Sequence, residues 1–428
     1  MMKVPNILHI AAHIGGGIGS AVAGLKTCKL KQTILLLEKP INQSTLSGVK
    51  EAGFFVIEQP DAGTVNNELS KADVVLFHWS HHPAVTDLLL NGLSVPIRTI
   101  LWCHVSGNYF PHISAEFLKK FDRVMFAAPY SLNLPHVKAF GESYIKERFN
   151  IVYGLGPIAK FANVPKSRDR NKFVIGYVGT LGFCKLHPRF VDFCAAVNIP
   201  GVRFVLAGEP ATKSEILKAA NQAGIAGKIV FCGHVADVSE VLASMDVFSY
   251  LLNPQHFGAT ENALLEAMAA GLPAVALNQC VESFIIKNGE TGLLVNSPET
   301  YAEAVNTLWK DKTSGRKLGK SARADVLSRF DAEDNCTEFI LCCYKAMDVP
   351  KKIHYFNDFF GKTPSDWFLS CVEADRQCFL ENRAHDAGLI FFETTKSSPN
   401  HYNTYFPGDE RLAFWTNQLK SKAMEEND

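Results

Sequence analysis

The stretch His256–Ala276, HFGATENALLEAMAAGLPAVA, sets two glutamates, Glu261 and Glu266, where a glycine-marked loop runs into an alanine-rich helix and then a buried strand. Carboxylates this close to apolar residues cost free energy unless polar groups meet them. Thr260 is a candidate N-cap for a helix beginning near Glu261. The N–H groups of Asn262 and Ala263 would then face an anion, which the helix dipole also favours. Glu266 lies a turn and a half further in. As a carboxylate it would want hydroxyl donors such as a ribose diol; the competing reading is a surface glutamate beside a packing face.

Two glycine loops offer related chemistry. HIGGGIGSAVAGL follows a first apolar run, and its Gly15, Gly17 and Ser20 come near the dinucleotide fingerprint, with Glu38 about where a ribose-binding acid would stand. Three readings stay open: a dinucleotide site, a loop contacting another phosphate or a sugar, and a bare strand-to-helix turn. GYVGTLGFCKLHP places Gly179 at a strand end and Lys185 near the next helix, a set suited to a diphosphate. A dehydrogenase or flavoprotein has no need of this second loop. The alternative for Lys185 is a solvated surface lysine. His104, in LWCHV, reads either as a core histidine or as a site residue. His78, His81 and His82, in FHWSHHP, are placed for capping or acceptor contact better than for one metal ion, because adjacent histidines on a turn rarely aim at a common point.

The elements that must position these residues follow from periodicity. NILHIA, QTILLLE, DVVLFHW, IRTILWCHV and RVMFAA are continuous apolar runs suited to parallel strands buried on both faces. The polar stretch Asn163–Lys172 reads as a linker. FVIGYVG, VRFVLAG, KIVFCG, MDVFSYL and PAVAL then repeat the pattern, and NGETGLLV adds a turn and a short strand. The expected architecture is α/β: two doubly wound domains facing across a cleft, 1–162 and 163–347, with ligands at the carboxyl ends of the strands. An aromatic-rich extension, 348–428, is expected to pack on the first domain.

Composition narrows the function. The 428 residues are 47% apolar and 20% charged, enough for a sizeable core. Lys+Arg and Asp+Glu both number 43, so no general affinity for nucleic acid follows. The N-terminus lacks the pattern of a signal peptide, and no apolar run approaches the roughly 20 residues of a membrane helix. Eleven cysteines without a CxxC fit reduced thiols in a cytoplasm.

ENALLEAMAAGLPAVA followed by NGETGLLV, with FVIGYVGTL, VRFVLAGE, IVFCGHVADVSEVLASMDVFSYL and the early GGGIGSAV in the same order, resembles the retaining glycosyltransferases of family 4, over most of residues 6–345. The resemblance implies the GT-B fold. It places Gly16 and Gly17 by the donor phosphates and the acceptor, and His104 at the donor sugar. Gly179 and Thr180 lead to Lys185, which neutralises the diphosphate. His234 and Val235 meet the nucleobase through the backbone, Asn262 and Ala263 offer N–H groups to phosphate, and Glu266 holds the ribose. Two departures stand out. Gly258 occupies the position of the family's first glutamate. A three-residue insertion, ATE, would bring Gln255 or His256 to that place, with Glu261 as a substitute. The arginine usual before the lysine is absent, and Thr180 stands nearby. The implied reaction is transfer, with retention, from a nucleotide diphosphate sugar (UDP-linked in preference to GDP-linked) to a glycan or lipid-linked glycan of a bacterial surface. The nucleotide sugar is a co-substrate; no cofactor and, with no Asp-x-Asp in the chain, no metal is expected. The implied location is the cytoplasm or the inner face of the membrane. A catalytically silent scaffold of the same fold remains the alternative.

Overall fold

The computed structural model describes residues 4–40, 43–165, 172–235 and 237–425. Among these the chain divides into two compact units. The first comprises Met1–Gly156, Phe257–Thr260 and Ala332–Asp428; the second comprises Pro157–His256 and Glu261–Asp331. The expected linker, Asn163–Lys172, lies for its greater part (166–171) outside the described residues.

The first unit holds seven parallel strands: β1 Asn6–Ala11, β2 Lys31–Leu36, β3 Phe55–Glu58, β4 Val74–Trp79, β5 Thr99–Cys103, β6 Arg123–Phe126 and β7 Phe149–Ile151, in the spatial order β3-β2-β1-β4-β5-β6-β7. β3 and β7 were not legible as strands. Both are short edges: β7 is three residues interrupted by Asn150, and β3, although apolar over residues 54–57, leaves Phe55 exposed.

Alternation along the strands feeds two cores. Val75, Phe77 and Trp79 of β4 join a cluster with Phe356, Phe360, Phe368, Phe379, Phe391, Tyr402 and Trp415 of the C-terminal extension. Val74 and Leu76 pack on the opposite face with Cys336, Phe339, Cys342, Cys343 and Ala346. The helix Ala332–Met347 therefore belongs to the first unit, which corrects the expected boundary at 347: its apolar stripe covers the first sheet. Cys28 and Cys336 form a disulfide there, with Cα atoms 5.6 Å apart, contrary to the expectation that all the thiols are reduced.

The second unit has six parallel strands: β8 Phe173–Val178, β9 Val202–Ala207, β10 Ile229–Gly233, β11 Val247–Tyr250, β12 Ala274–Leu277 and β13 Leu293–Val295. Their order, β10-β9-β8-β11-β12-β13, is doubly wound, with its switch point between β8 and β11. Among the described residues no helix is long and apolar enough to cross a membrane.

Candidate functional site

Ligands of doubly wound sheets bind where the strand order reverses, outside the carboxyl ends. In the second unit that point is occupied by the loop after β8 and the segment after β11. Asn253 fastens the two: its N–H donates to the Lys185 carbonyl (2.8 Å) and its Nδ2 to the Phe183 carbonyl (2.7 Å). Lys185 is thereby held with Nζ 2.8 and 2.7 Å from the two carboxylate oxygens of Glu261. Tyr250, the last residue of β11, donates its hydroxyl to Glu261 Oε2. His256 Nδ1 stands 3.7 Å from Glu261 Oε1, and its Nε2 stands 3.1 Å from Glu282 Oε1, with both side chains fully buried. Burial opposes ionisation of Glu261. Lys185, His256 and the hydrogen bonds from Lys185 and Tyr250 outweigh it and hold the carboxyl below its ordinary value. Burial and then Glu261 push the Tyr250 phenol well above its usual range, so it stays a donor.

This network changes several expectations. Lys185 is not solvated, and its charge is already matched by Glu261, so it does not stand ready for a diphosphate alone. Glu261 and His256 are buried partners of one another and are not side chains open to a sugar ring; Gln255 is exposed. Thr260 does not cap the helix. Its hydroxyl donates to the Ala127 carbonyl (2.9 Å) and accepts the Gly154 N–H (2.8 Å), all within the first unit. The helix Asn262–Ala269 instead has Glu261 at its N-cap, at φ 53°, with no side-chain cap bond. Gly258 falls in the segment Phe257–Thr260, which belongs to the first unit.

Asn262 and Ala263 do open the helix, and Glu266 lies on it half-buried. Among the described residues no hydrogen bond holds the Glu266 carboxyl. Burial raises its pKa to about 7, with Lys160 pulling the other way. Gly179, at φ 149°, ends β8, and Thr180 follows it exposed. His234 and Val235 follow β10, with His234 exposed.

In the first unit Gly16 opens the helix Gly16–Ala23 at φ 56° with Gly17 after it, and a Cβ on either would meet nothing within 4 Å. His104 closes a chain of imidazoles: His9 Nδ1 lies 3.0 Å from His78 Nε2, and His78 Nδ1 lies 2.8 Å from His104 Nε2. Burial keeps all three below the ordinary histidine value, His104 at about 3; the neighbouring rings add to it at His78 and His104, while a hydrogen bond with Gln32 opposes it at His9. His104 is thus a neutral imidazole half-open to solvent at the end of β5. His81 and His82 part company: His81 faces Tyr402 and the Phe368 carbonyl, whereas His82 caps the helix Pro83–Asn91.

Tyr250, Asn253 and Glu282 were missed in the sequence. Tyr250 is one more aromatic in an apolar strand, and Glu282 comes to the site only through the fold.

Two doubly wound parallel sheets, each with a strand-end site, define the GT-B class. Residues 172–311, most of them in the second unit, match the family model of the glycosyl transferases, group 1. Over 141 residues, 32% of this chain, it is 27% identical to the lipopolysaccharide core biosynthesis glycosyltransferase LpsE of Rhizobium meliloti. Over 186 residues, 42% of this chain, it is 28% identical to the glycosyltransferase EpsD of Bacillus subtilis, whose assignment is provisional. These alignments span 41% and 48% of the relatives' own lengths. The fold matches Anabaena HepE, solved in complex with UDP-glucose, at a TM-score of 0.63 and 17% identity, over 81% of this chain and 100% of that one. A glycosyltransferase from Rickettsia africae matches at 0.63 and 13%, over 81% and 99%.

Proposed function

We propose that this chain transfers a glycosyl group from a nucleotide diphosphate sugar to a hydroxyl of a glycan or lipid-linked glycan acceptor in bacterial surface polysaccharide synthesis. The observation that carries the reading is Glu266. It is a half-buried carboxyl with no partner among the described residues, on the helix that Asn262 opens, inside the segment that matches the glycosyl transferases. Its unmet acceptors suit a ribose diol. The relatives support the class, and the UDP-glucose bound to HepE supports a uridine donor over a guanosine one.

In this reading the anomeric C–O bond breaks as negative charge grows on the departing diphosphate. Backbone donors at Asn262, Ala263 and the Gly179–Thr180 turn stabilise that charge, and Lys185 shifts toward it from Glu261. His234 and Val235 flank the base. Gly16, Gly17 and His104 of the first unit serve the sugar and acceptor. No carboxylate stands out as a nucleophile, so departure and attack on one face, with retention, is favoured over a double displacement. Helix dipole and lysine take the place of a metal.

A silent scaffold is the second reading, favoured by the bidentate Lys185–Glu261 pair and by the glycine at 258. Thermal-shift screening against UDP- and GDP-sugars, followed by hydrolysis of whichever binds, separates the two, because a ligand of the native state raises its melting temperature. Binding with hydrolysis that survives EDTA is expected. Neither binding nor hydrolysis would establish the scaffold, and loss on EDTA with recovery on manganese would establish a metal.

A further inference from the structure

The first unit has its own switch point, between β1 and β4, and five side chains meet there that the proposed reaction does not use. His13 follows β1, Glu38 follows β2 and His82 follows β4. One ligand atom from each lies within 4.8 Å of the other two, with His82 Nε2 3.5 Å from Glu38 Oε1. His401, from the C-terminal extension, packs edge-on against His82 with ring centroids 4.6 Å apart. Tyr405 stands 5.7 Å from His82 and 5.5 Å from His401. His13, Glu38 and His401 are half-exposed, so the cluster is open to a solute.

Two histidines and a carboxylate suggest a metal, but their outer hydrogen bonds oppose one. The Nδ1 atoms of His13, His82 and His401 each accept a backbone N–H, from Gly15 (3.0 Å), Ala84 (3.3 Å) and Ser397 (3.2 Å). An Nδ1 that accepts has no proton, so in the neutral ring the proton sits on Nε2. Metal ligation through Nε2 needs the opposite tautomer, with Nδ1–H donating outward. Burial keeps all three rings neutral, aided for His401 by His13 and Lys396. The cluster therefore offers N–H donors from three rings and one carboxylate acceptor.

Donors and a fixed acceptor side by side match hydroxyl groups, which do both. An anionic ligand would meet the Glu38 carboxylate. The backbone that brings His401 into place is held in unusual conformations: His81 at φ 61°, Lys396 at 59° and Ser397 at 63° all lie in the left-handed region. Ser397 Oγ donates to the Ser80 carbonyl (3.0 Å), tying one strained turn to the other. Such strain gathers at ligand sites and persists only where the surroundings enforce it.

We propose that His13, Glu38 and His82, together with His401 and Tyr405 of the C-terminal extension, form a subsite for the hydroxyls of a neutral pyranose. That this sugar is the acceptor rests on the transfer reading above; the subsite itself does not. The extension is then a specificity element as well as a packing one.

The full-length protein labelled with 15N-histidine, titrated with methyl glycopyranosides of glucose, galactose, mannose and N-acetylglucosamine, tests this. The Nε2–H tautomer is expected for His13, His82 and His401, and at least one glycoside is expected to move all three signals together. Glu38→Gln and His401→Phe should each weaken that glycoside by about tenfold, the worth of one charged or well-placed hydrogen bond. Their melting temperatures and nucleotide-sugar affinity should stay near those of the parent. No response to any glycoside, tighter binding of methyl glucuronide than of the neutral sugars, or a tetrahedral cobalt absorption lost in His82→Gln would overturn the proposal. Glycoside binding without any nucleotide-sugar binding would leave the subsite standing and remove the transfer reading instead.

Discussion

At the scale of single residues, Glu266 carries the clearest pH signature. Its folded-state pKa of about 7 lies above the ordinary 4.5, so the folded protein holds this proton more tightly than the unfolded chain. The resulting stabilisation is full below pH 4.5 and is lost as pH rises through about 7. Nucleotide binding should run the other way, since a diol needs the carboxylate. Uridine nucleotide affinity is expected to fall by about tenfold per pH unit below that point. Glu266→Gln should abolish both slopes and weaken the nucleotide; calorimetry across pH 5.5–8.5 checks it, and a parallel pH profile in the variant would remove Glu266 from the site. The Lys185–Glu261 pair makes a second residue-scale expectation. Truncating one partner leaves the other charge buried and unmatched, at a cost of about 3–5 kcal/mol, whereas removing both costs less. Urea unfolding should therefore rank Lys185→Ala below the double variant Lys185→Ala/Glu261→Ala. Motif spacing is what singles out Glu266 and Lys185 in the sequence. It does not show the pairing of Lys185, because Glu261 reaches it only through a left-handed turn at the insertion.

At the scale of elements, continuous apolar runs gave away ten of the strands; the edges β3 and β7 escaped because they are only four and three residues long. Thr260 reads as an N-cap from sequence because a threonine before a helix usually is one. Here its hydroxyl serves two backbone groups more than a hundred residues earlier in the same unit, Ala127 and Gly154, contacts that no local pattern encodes. Replacing Thr260 with valine leaves the Gly154 N–H and the hydroxyl's donor bond unmade, so a loss of about 1–3 kcal/mol is expected. Thermal unfolding reads that loss; a valine variant as stable as the parent would make these bonds incidental. The extension is a stronger case. Phe368, Phe379, Phe391, Tyr402 and Trp415 are almost wholly buried against the sheet, each able to bury about 150–250 Å². Ending the chain after Met347 should yield insoluble protein, seen in the partition between supernatant and pellet. A soluble, monodisperse truncation would show that the first sheet does not depend on that cover.

At the scale of the molecule, the two halves were visible in the recurring strand pattern and the second glycine loop, but their borders were not. Sequence places a boundary where polarity rises, whereas the fold assigns residues by what they cover, so Ala332–Met347 and Phe257–Thr260 go to the first unit. This arrangement bears on how the chain is made. The second unit is complete once residue 331 has been synthesised, while the first still lacks both of its covers. Phe77 and Trp79 wait for Trp415, more than three hundred residues downstream, which at roughly 5–20 residues per second is on the order of tens of seconds on the ribosome. The middle of the chain can therefore complete its fold before the beginning does, and the bare face of the earlier sheet is the nascent surface that a chaperone would meet.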